Sequence, residues 1–494
     1  MKSLPALTTL LGAVTVAAPA LADGGYYSGA LGARAAGRGG AFVARADDVT
    51  AVAINPAGLA NIDGTVFEFS NQFSYNSYGY TRAPTPDWGN AQNGVAPTVV
   101  FDTVHNGTPV QAADPFIGVA SNLGLTNWGF AIAAFAPPGI SREQFPESGG
   151  QRYLMVNREA IILDYAISAA WKFRDVFGVG ATAEWISVPR LVYSLVINGN
   201  PAPAAANPVS SMDDIVATTT GSDPFAFNAI VGAWVRPTPS FELGLAGQII
   251  PANIVTHSTL SLSALDKAHL GDVMLLRDGS AASDVTVKLP LPLLVRAGGR
   301  YRHLAGGREI YDLELDVEYE TWSRANQFTV DTRGLEAYAV GANQTIPLGQ
   351  ITVAKQWRDT VSVKLGGDFA LLPDRWTLRA GAYYETAVAP SAYANVDFPG
   401  GTQIGGAVGA SLFLRRRWEL ALAYQLRFQP SVTVSEANAR VFQQTPASPC
   451  APPYTDTNNC NVNYPGQPSP SVNAGTYTAT SQIVSIALVY RYGL

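Results

Sequence analysis

The chain has 494 residues, 14% of them charged and 10% aromatic, with 47 glycines, 33 prolines, two cysteines and a formal net charge of −6. Net negative charge offers nucleic acid no electrostatic footprint, and this much glycine and proline excludes a largely helical protein. Sparse charge with balanced hydropathy suits a chain that shows apolar surface to lipid and polar surface to a lumen, and equally a secreted soluble β-protein.

Residues 1–22 read as a signal peptide: Lys2 supplies the charged start, residues 4–16 the apolar stretch, and Ala20-Leu21-Ala22 the small-residue cleavage site. Pro5 and Gly12 interrupt that stretch, which argues against a membrane anchor. No later segment offers 18 uninterrupted apolar residues, so helical membrane spans are excluded. Residues 29–60 follow, too short to fold alone and too rich in Gly and Ala to build a core. Such a segment is expected to pack inside something else. Within it, Asp48 is placed to cap a short helix over 49–54, which Pro56 would end.

Strand patterns then take over. Tyr311, Leu313, Leu315, Val317 and Tyr319 fall on one face of a segment whose other face is Asp312, Glu314, Asp316, Glu318 and Glu320. Strict period-two alternation specifies a strand with one apolar side. Five acids on one face repel unless bases stand opposite; Arg296, Arg300 and Arg302 precede them and Lys364 follows, predicting a wall of matched charge. Fourteen strands are expected, near 64–76, 114–122, 127–136, 157–172, 175–190, 224–236, 239–251, 284–302, 309–324, 357–371, 374–388, 402–414, 417–429 and 477–492. Short connectors (123–126, 173–174, 237–238, 372–373, 415–416) alternate with long ones (77–113, 191–223, 252–283, 325–356, 430–476). An even set of antiparallel strands with alternating short turns and long loops is the pattern of a transmembrane β-barrel, and lipid permits no open sheet edge. Trp128, Trp185, Trp322, Trp357, Trp376 and Tyr490 fall near strand ends, as interfacial girdles require.

The long connectors carry few chemical signals. Residues 252–283 hold Leu260, Leu262, Leu265, Leu270, Met274 and Leu275 among few charges, a candidate surface for capturing apolar ligands; packing between loops is the alternative. Lys267, His269 and Arg277 there read as a solvated loop face before they read as a carboxylate site. Cys450 and Cys460 lie in a Pro-, Asn- and Ser-rich segment and are expected to form a local disulfide. His105, His257, His269 and His303 are scattered, without metal-ligand spacing or an adjacent serine nucleophile, so no metal, cofactor or catalytic site is expected.

Several segments resemble one family. Arg38-Gly39-Gly40-Ala41, Asp47-Asp48 and Asn55-Pro56-Ala57 resemble the N-terminal plug of the bacterial outer-membrane long-chain fatty-acid and hydrocarbon transporters (FadL/TodX-like); residues 135–145, 226–246, 312–323 and 357–390 resemble its strands, in the same order. The resemblance implies an all-β, fourteen-stranded antiparallel barrel in the outer membrane, with residues 23–63 as a lumenal hatch and 64–494 as the barrel. It implies a monomer among lipid and lipopolysaccharide that takes hydrophobic small molecules from an outer groove to a pocket above the hatch. Ligand would leave sideways where the third strand is interrupted, here at Pro137-Pro138-Gly139, with Asn55, Pro56 and Ala57 expected to face that interruption. Long-chain fatty acids are the expected substrate, with Arg34, Arg38 and Arg45 as a slight argument for a carboxylate. An aromatic-hydrocarbon channel is the alternative; a polar porin and an outer-membrane lipid-modifying enzyme stand further off.

Overall fold

A computed structural model describes residues 30–493 except 88–89, 91, 93–94, 138–141, 200–208, 342, 349, 399 and 444–470. The signal-peptide reading of 1–22, Pro138, Gly139 and the Cys450–Cys460 pairing therefore lie outside the described residues. Fourteen strands form the wall: β1 (Thr65–Arg82), β2 (Val110–Ser121), β3 (Trp128–Phe135), β4 (Asn157–Phe173), β5 (Phe177–Asn198), β6 (Asp214–Thr238), β7 (Phe241–Gln248), β8 (Leu294–Ala305), β9 (Arg308–Glu320), β10 (Thr360–Leu372), β11 (Trp376–Glu385), β12 (Gln403–Leu414), β13 (Trp418–Val434) and β14 (Gly475–Tyr492). Each pairs antiparallel with the next, and β1 pairs with β14 from Thr65↔Tyr492 to Arg82↔Gly475, closing the barrel. Among the described residues no helix is long and apolar enough to cross a membrane.

Period two decides which way each side chain points. On β9, Leu313, Leu315, Val317 and Tyr319 are exposed on the outer surface, whereas Asp312, Glu314, Asp316 and Glu318 are buried. An apolar exterior facing lipid and an acid-lined interior follow directly from the alternation.

Beyond the lipid band the wall continues outward, and here the expected loops 252–283 and 325–356 contain strands. Residues Asn253–Ala264 pair with the outer half of β6, then with Asp284–Pro290, which pairs with Gln327–Asp331 and through it with Ile351–Ala354. The strand expected at 284–302 is thus two strands, broken at residues 291–293. These outer strands enclose a second apolar core. Trp322 and Trp357, expected in the girdle, belong to it: both are buried, with ring centroids 5.4 Å apart, because an apolar interior outside the membrane competes with the interface for tryptophan. Trp128, Trp185 and Trp376 are exposed as a girdle requires.

The N-terminal segment, residues 30–62, lies inside the barrel. It forms α1 (Ala33–Gly37), α2 (Ala51–Ile54) and a 3-10 turn (Pro56–Asn61), with hydrogen bonds to β5, β6, β8 and β13. Asp48 accepts the Thr50 N–H at 3.0 Å and so closes the turn ahead of α2; the helix itself starts after Thr50 and carries no side-chain cap, so the expected Asp48 cap sits on the preceding turn and not on the helix.

Candidate functional site

The acidic face of β9 is the seat of the N-terminal segment. Arg38 is wholly buried and spreads its guanidinium over Asp312 (2.9 Å), Glu314 (2.7 Å) and Asp368 (2.7 Å), while its Nε donates to the carbonyl of Ala41. The N–H groups of Phe42 and Val43 donate to Asp316 at 2.7 and 2.9 Å, and that of Ala44 to Glu314 at 2.6 Å. Arg45 reaches Asp312 at 3.0 Å, and Arg34 binds Asp47 and Asp48 at 2.8 and 3.2 Å. The bases on neighbouring strands close the array: Arg300 pairs with Asp312, Lys364 with Glu318 at 2.6 Å, and Arg302 with Glu309 at 2.8 Å. Buried charges persist only when paired in this way. The matched wall is as expected, but the argument that Arg34, Arg38 and Arg45 favour a carboxylate ligand fails, since all three are engaged by the protein's own acids.

Asn55, Pro56 and Ala57 lie against β5 and β6. Asn55 Nδ2 donates to the carbonyls of Val43 (2.9 Å) and Ala233 (3.2 Å), its Oδ1 accepts the Ala57 N–H at 3.3 Å, and the Trp234 indole donates to the Ala57 carbonyl at 2.9 Å. The approach is close enough to need glycine: a Cβ on Gly232 would stand 2.1 Å from Asn55 Oδ1. Outside the N-terminal segment this motif meets β5 and β6, whereas Ala53 and Ile54, just before it, line a cavity together with Pro137.

That inner cavity, about 150 Å³, lies between the segment and the wall. Phe135, Ile186 and Ile230 give it an apolar side; Asp164, Glu184, Glu318, Glu320 and Glu385 give it carboxylates, against two cations, Arg296 and Lys364. At its edge the pairing of β3 stops: β4 is bonded to β3 from Asp164 to Trp171, and Asn157 and Arg158 pair with Gln144 and Glu143 beyond the undescribed residues 138–141. Pro137, the one described member of the predicted interruption, is buried at this place.

An outer cavity of about 80 Å³ lies within the extramembrane core, lined by Ile162, Val188, Leu289, Phe328 and Phe398. Leu291 lines both cavities and stands between them. The outer one has cations at its rim. Arg158 lines it, its guanidinium 4.0 Å from the Phe398 ring centroid and 2.7 Å from Glu143. Lys355 is buried in an ion pair with Asp397 and stands 5.0 and 5.6 Å from the Phe328 and Phe398 rings. Burial pushes the Lys355 ammonium below its ordinary range, while Asp397 opposes the shift.

The predicted capture residues fall elsewhere. Leu260 and Leu270 are buried, and Leu262, Leu265 and Leu275 pack partly buried against the outer cores. Met274 alone of the six is exposed. Packing of strand on strand, rather than an exposed groove, accounts for the leucine density. Lys267, His269 and Arg277 face Asp272, Asp213 and Asp284, as a loop surface would. Sequence reasoning missed Arg158, Lys355 and Leu291, whose roles depend on packing between distant segments.

The family described as Outer membrane protein transport protein (OMPP1/FadL/TodX) matches residues 13–458. Among solved structures, a Pseudomonas aeruginosa FadL homologue superposes with a TM-score of 0.70 at 17% identity, covering 95% of this chain and 100% of its own. The Ralstonia pickettii toluene transporter TbuX gives 0.59 at 14% identity, and the P. putida toluene transporter TodX gives 0.62 at 13%; each covers 94% of this chain and 99% of its own. No curated protein matches the chain.

Proposed function

The chain belongs to the FadL/TodX family of outer-membrane transporters of hydrophobic compounds, a family of channels and not of enzymes, and on that premise we propose that it takes up long-chain fatty acids by way of the two neighbouring cavities. The observation that carries this reading is the outer cavity: an almost wholly apolar wall with the Arg158 guanidinium on its lining. Each methylene withdrawn from water there contributes about 0.8 kcal/mol, and the Arg158 guanidinium, shared with Glu143, orients a carboxylate head at one end. The tail then points past Leu291 toward the inner cavity.

Residues 23–63 act as the hatch below this route, with 1–22 as the signal peptide and 64–494 as the barrel. Exit is lateral, beside Pro137, where the described pairing of β3 ends. Porin conduction fits poorly with a lumen filled by a buried, ion-paired segment.

A second reading, uptake of a neutral aromatic hydrocarbon, is favoured by the excess of carboxylates on the inner cavity, which repels an anionic head. Binding of a fluorescent long-chain fatty acid to the purified barrel separates the two. Displacement by unlabelled fatty acid but not by toluene supports the first reading, displacement by toluene the second. Absence of any binding removes both.

A further inference from the structure

One cluster on the inner cavity is used by neither the N-terminal segment nor the charge array. Glu184 on β5 stands directly opposite Asn228 on β6, and Asp164 on β4 is its diagonal neighbour, opposite Ile186. All three line the inner cavity and all three are more than nine-tenths buried. Asn228 Nδ2 donates to Glu184 at 2.6 Å, which turns its Oδ1 away without a hydrogen-bond partner; Asp164 Oδ1 has none either. Two buried acceptors facing one cavity, an amide oxygen and a carboxylate oxygen beside the second carboxylate of Glu184, ask for a donor.

The nearby cations do not supply it. Lys364 is bound to Glu318, and Arg296 pairs with Glu318 at 3.3 Å while donating to the carbonyl of Ala53 at 2.7 Å. Among the described residues no salt bridge reaches Asp164 or Glu184.

We propose that Asp164, Glu184 and Asn228 bind the ammonium head of an amphiphilic amine, whose chain lies along Phe135, Ile186 and Ile230. The chemistry selects this class. A primary ammonium carries three donors, matching three oxygen-bearing side chains. A divalent metal ion asks for about six oxygens or more, and its shell has no use for three apolar neighbours. The head is desolvated only where carboxylates compensate it, and this is the carboxylate-rich part of the path. The two cavities thus prefer opposite heads: cations rim the outer one, acids the inner.

The proposal rests on the transport reading for how the amine arrives, and binding tests it directly. Calorimetric titration of the full chain in neutral-lipid nanodiscs, with empty discs as blank, compares octylammonium with octanol. The wild type is expected to bind octylammonium about tenfold more tightly, as a charge-assisted contact allows. Asp164→Asn and Glu184→Gln should each bring the two ligands toward parity and leave octanol binding unchanged; retained heat-modifiable migration shows that each variant is folded. Parity in the wild type, or a preference that survives both substitutions, overturns the proposal. So does displacement of octylammonium by equimolar sodium or calcium ion, which would mark an inorganic-cation site. Failure of octanol and amine alike overturns the transport reading together with this one.

Discussion

Arg38 Nη2 and Glu314 Oε2 stand 2.7 Å apart, and both side chains are completely buried. One comes from the segment inside the barrel and the other from its wall, so this contact ties the two together. Removing one partner of a buried ion pair typically costs about 3–5 kcal/mol, because the other charge is left uncompensated. Here three wall carboxylates share the one guanidinium. Arg38→Met is therefore expected to unseat residues 30–62 while the barrel still closes. Protease cutting within that segment and a raised ion conductance are the readouts; a variant as resistant and as closed as wild type would refute the seating.

The same docking can be blocked from the wall. A Cβ on Gly381 would lie 2.1 Å from the Arg38 carbonyl oxygen, and one on Gly366 equally close. Backbone cannot yield as a side-chain tip can. Gly381→Val should reproduce the conductance of Arg38→Met without touching any charge, and unaltered conductance would count against a fixed seat.

Leu291 is the shared wall of the two cavities. Leu291→Trp overfills that junction, at a cost of about 1–3 kcal/mol in stability. Uptake in cells should fall strongly. Normal uptake by a properly inserted variant would exclude the passage at Leu291.

Head-group preference is assigned to Arg158. Arg158→Gln should weaken fatty-acid binding by about tenfold or more, the loss of one charge-assisted contact, and leave toluene binding within about twofold. Equal losses for both ligands would indicate that Arg158 only supports the wall.

Lys355 and Asp397 brace the extramembrane core from adjoining segments. Lys355→Met leaves Asp397 buried without its cation and should cost about 3–5 kcal/mol, read as a lowered midpoint for loss of heat-modifiable migration. The double variant Lys355→Met, Asp397→Leu should recover much of that loss, since apolar replacement of both partners removes the stranded charge. No recovery would mean the pair does more than neutralise itself.

The barrel was legible because lipid imposes alternation on every spanning strand. The acids of β9 and the leucines between them needed no tertiary information. Outside the lipid that rule lapses. Residues 259–263 in fact alternate, with Leu260 and Leu262 between Thr259, Ser261 and Ser263, a strand signal overridden by reading the whole connector as a loop. Trp322 and Trp357 show the opposite failure, where a strand-end position says nothing about which of two apolar environments claims the ring. The segment at 29–60 declared itself by being unable to fold alone, and the acids awaiting it were visible on β9. Leu291, Arg158 and Asp164 became candidates only once strands distant in sequence were brought around common cavities.

The N-terminal segment runs straight into β1, and β1 is the strand that completes the ring by meeting β14. The seam that closes the ring is therefore made by the strand that directly follows the stretch carrying Arg34, Arg38 and Arg45. Wall cations neutralise only part of the acidic face of β9, and Arg38 and Arg45 supply further cations, so seating of the segment and neutralisation of the lumen go together. The piece that fills the ring is covalently next to the piece that locks it.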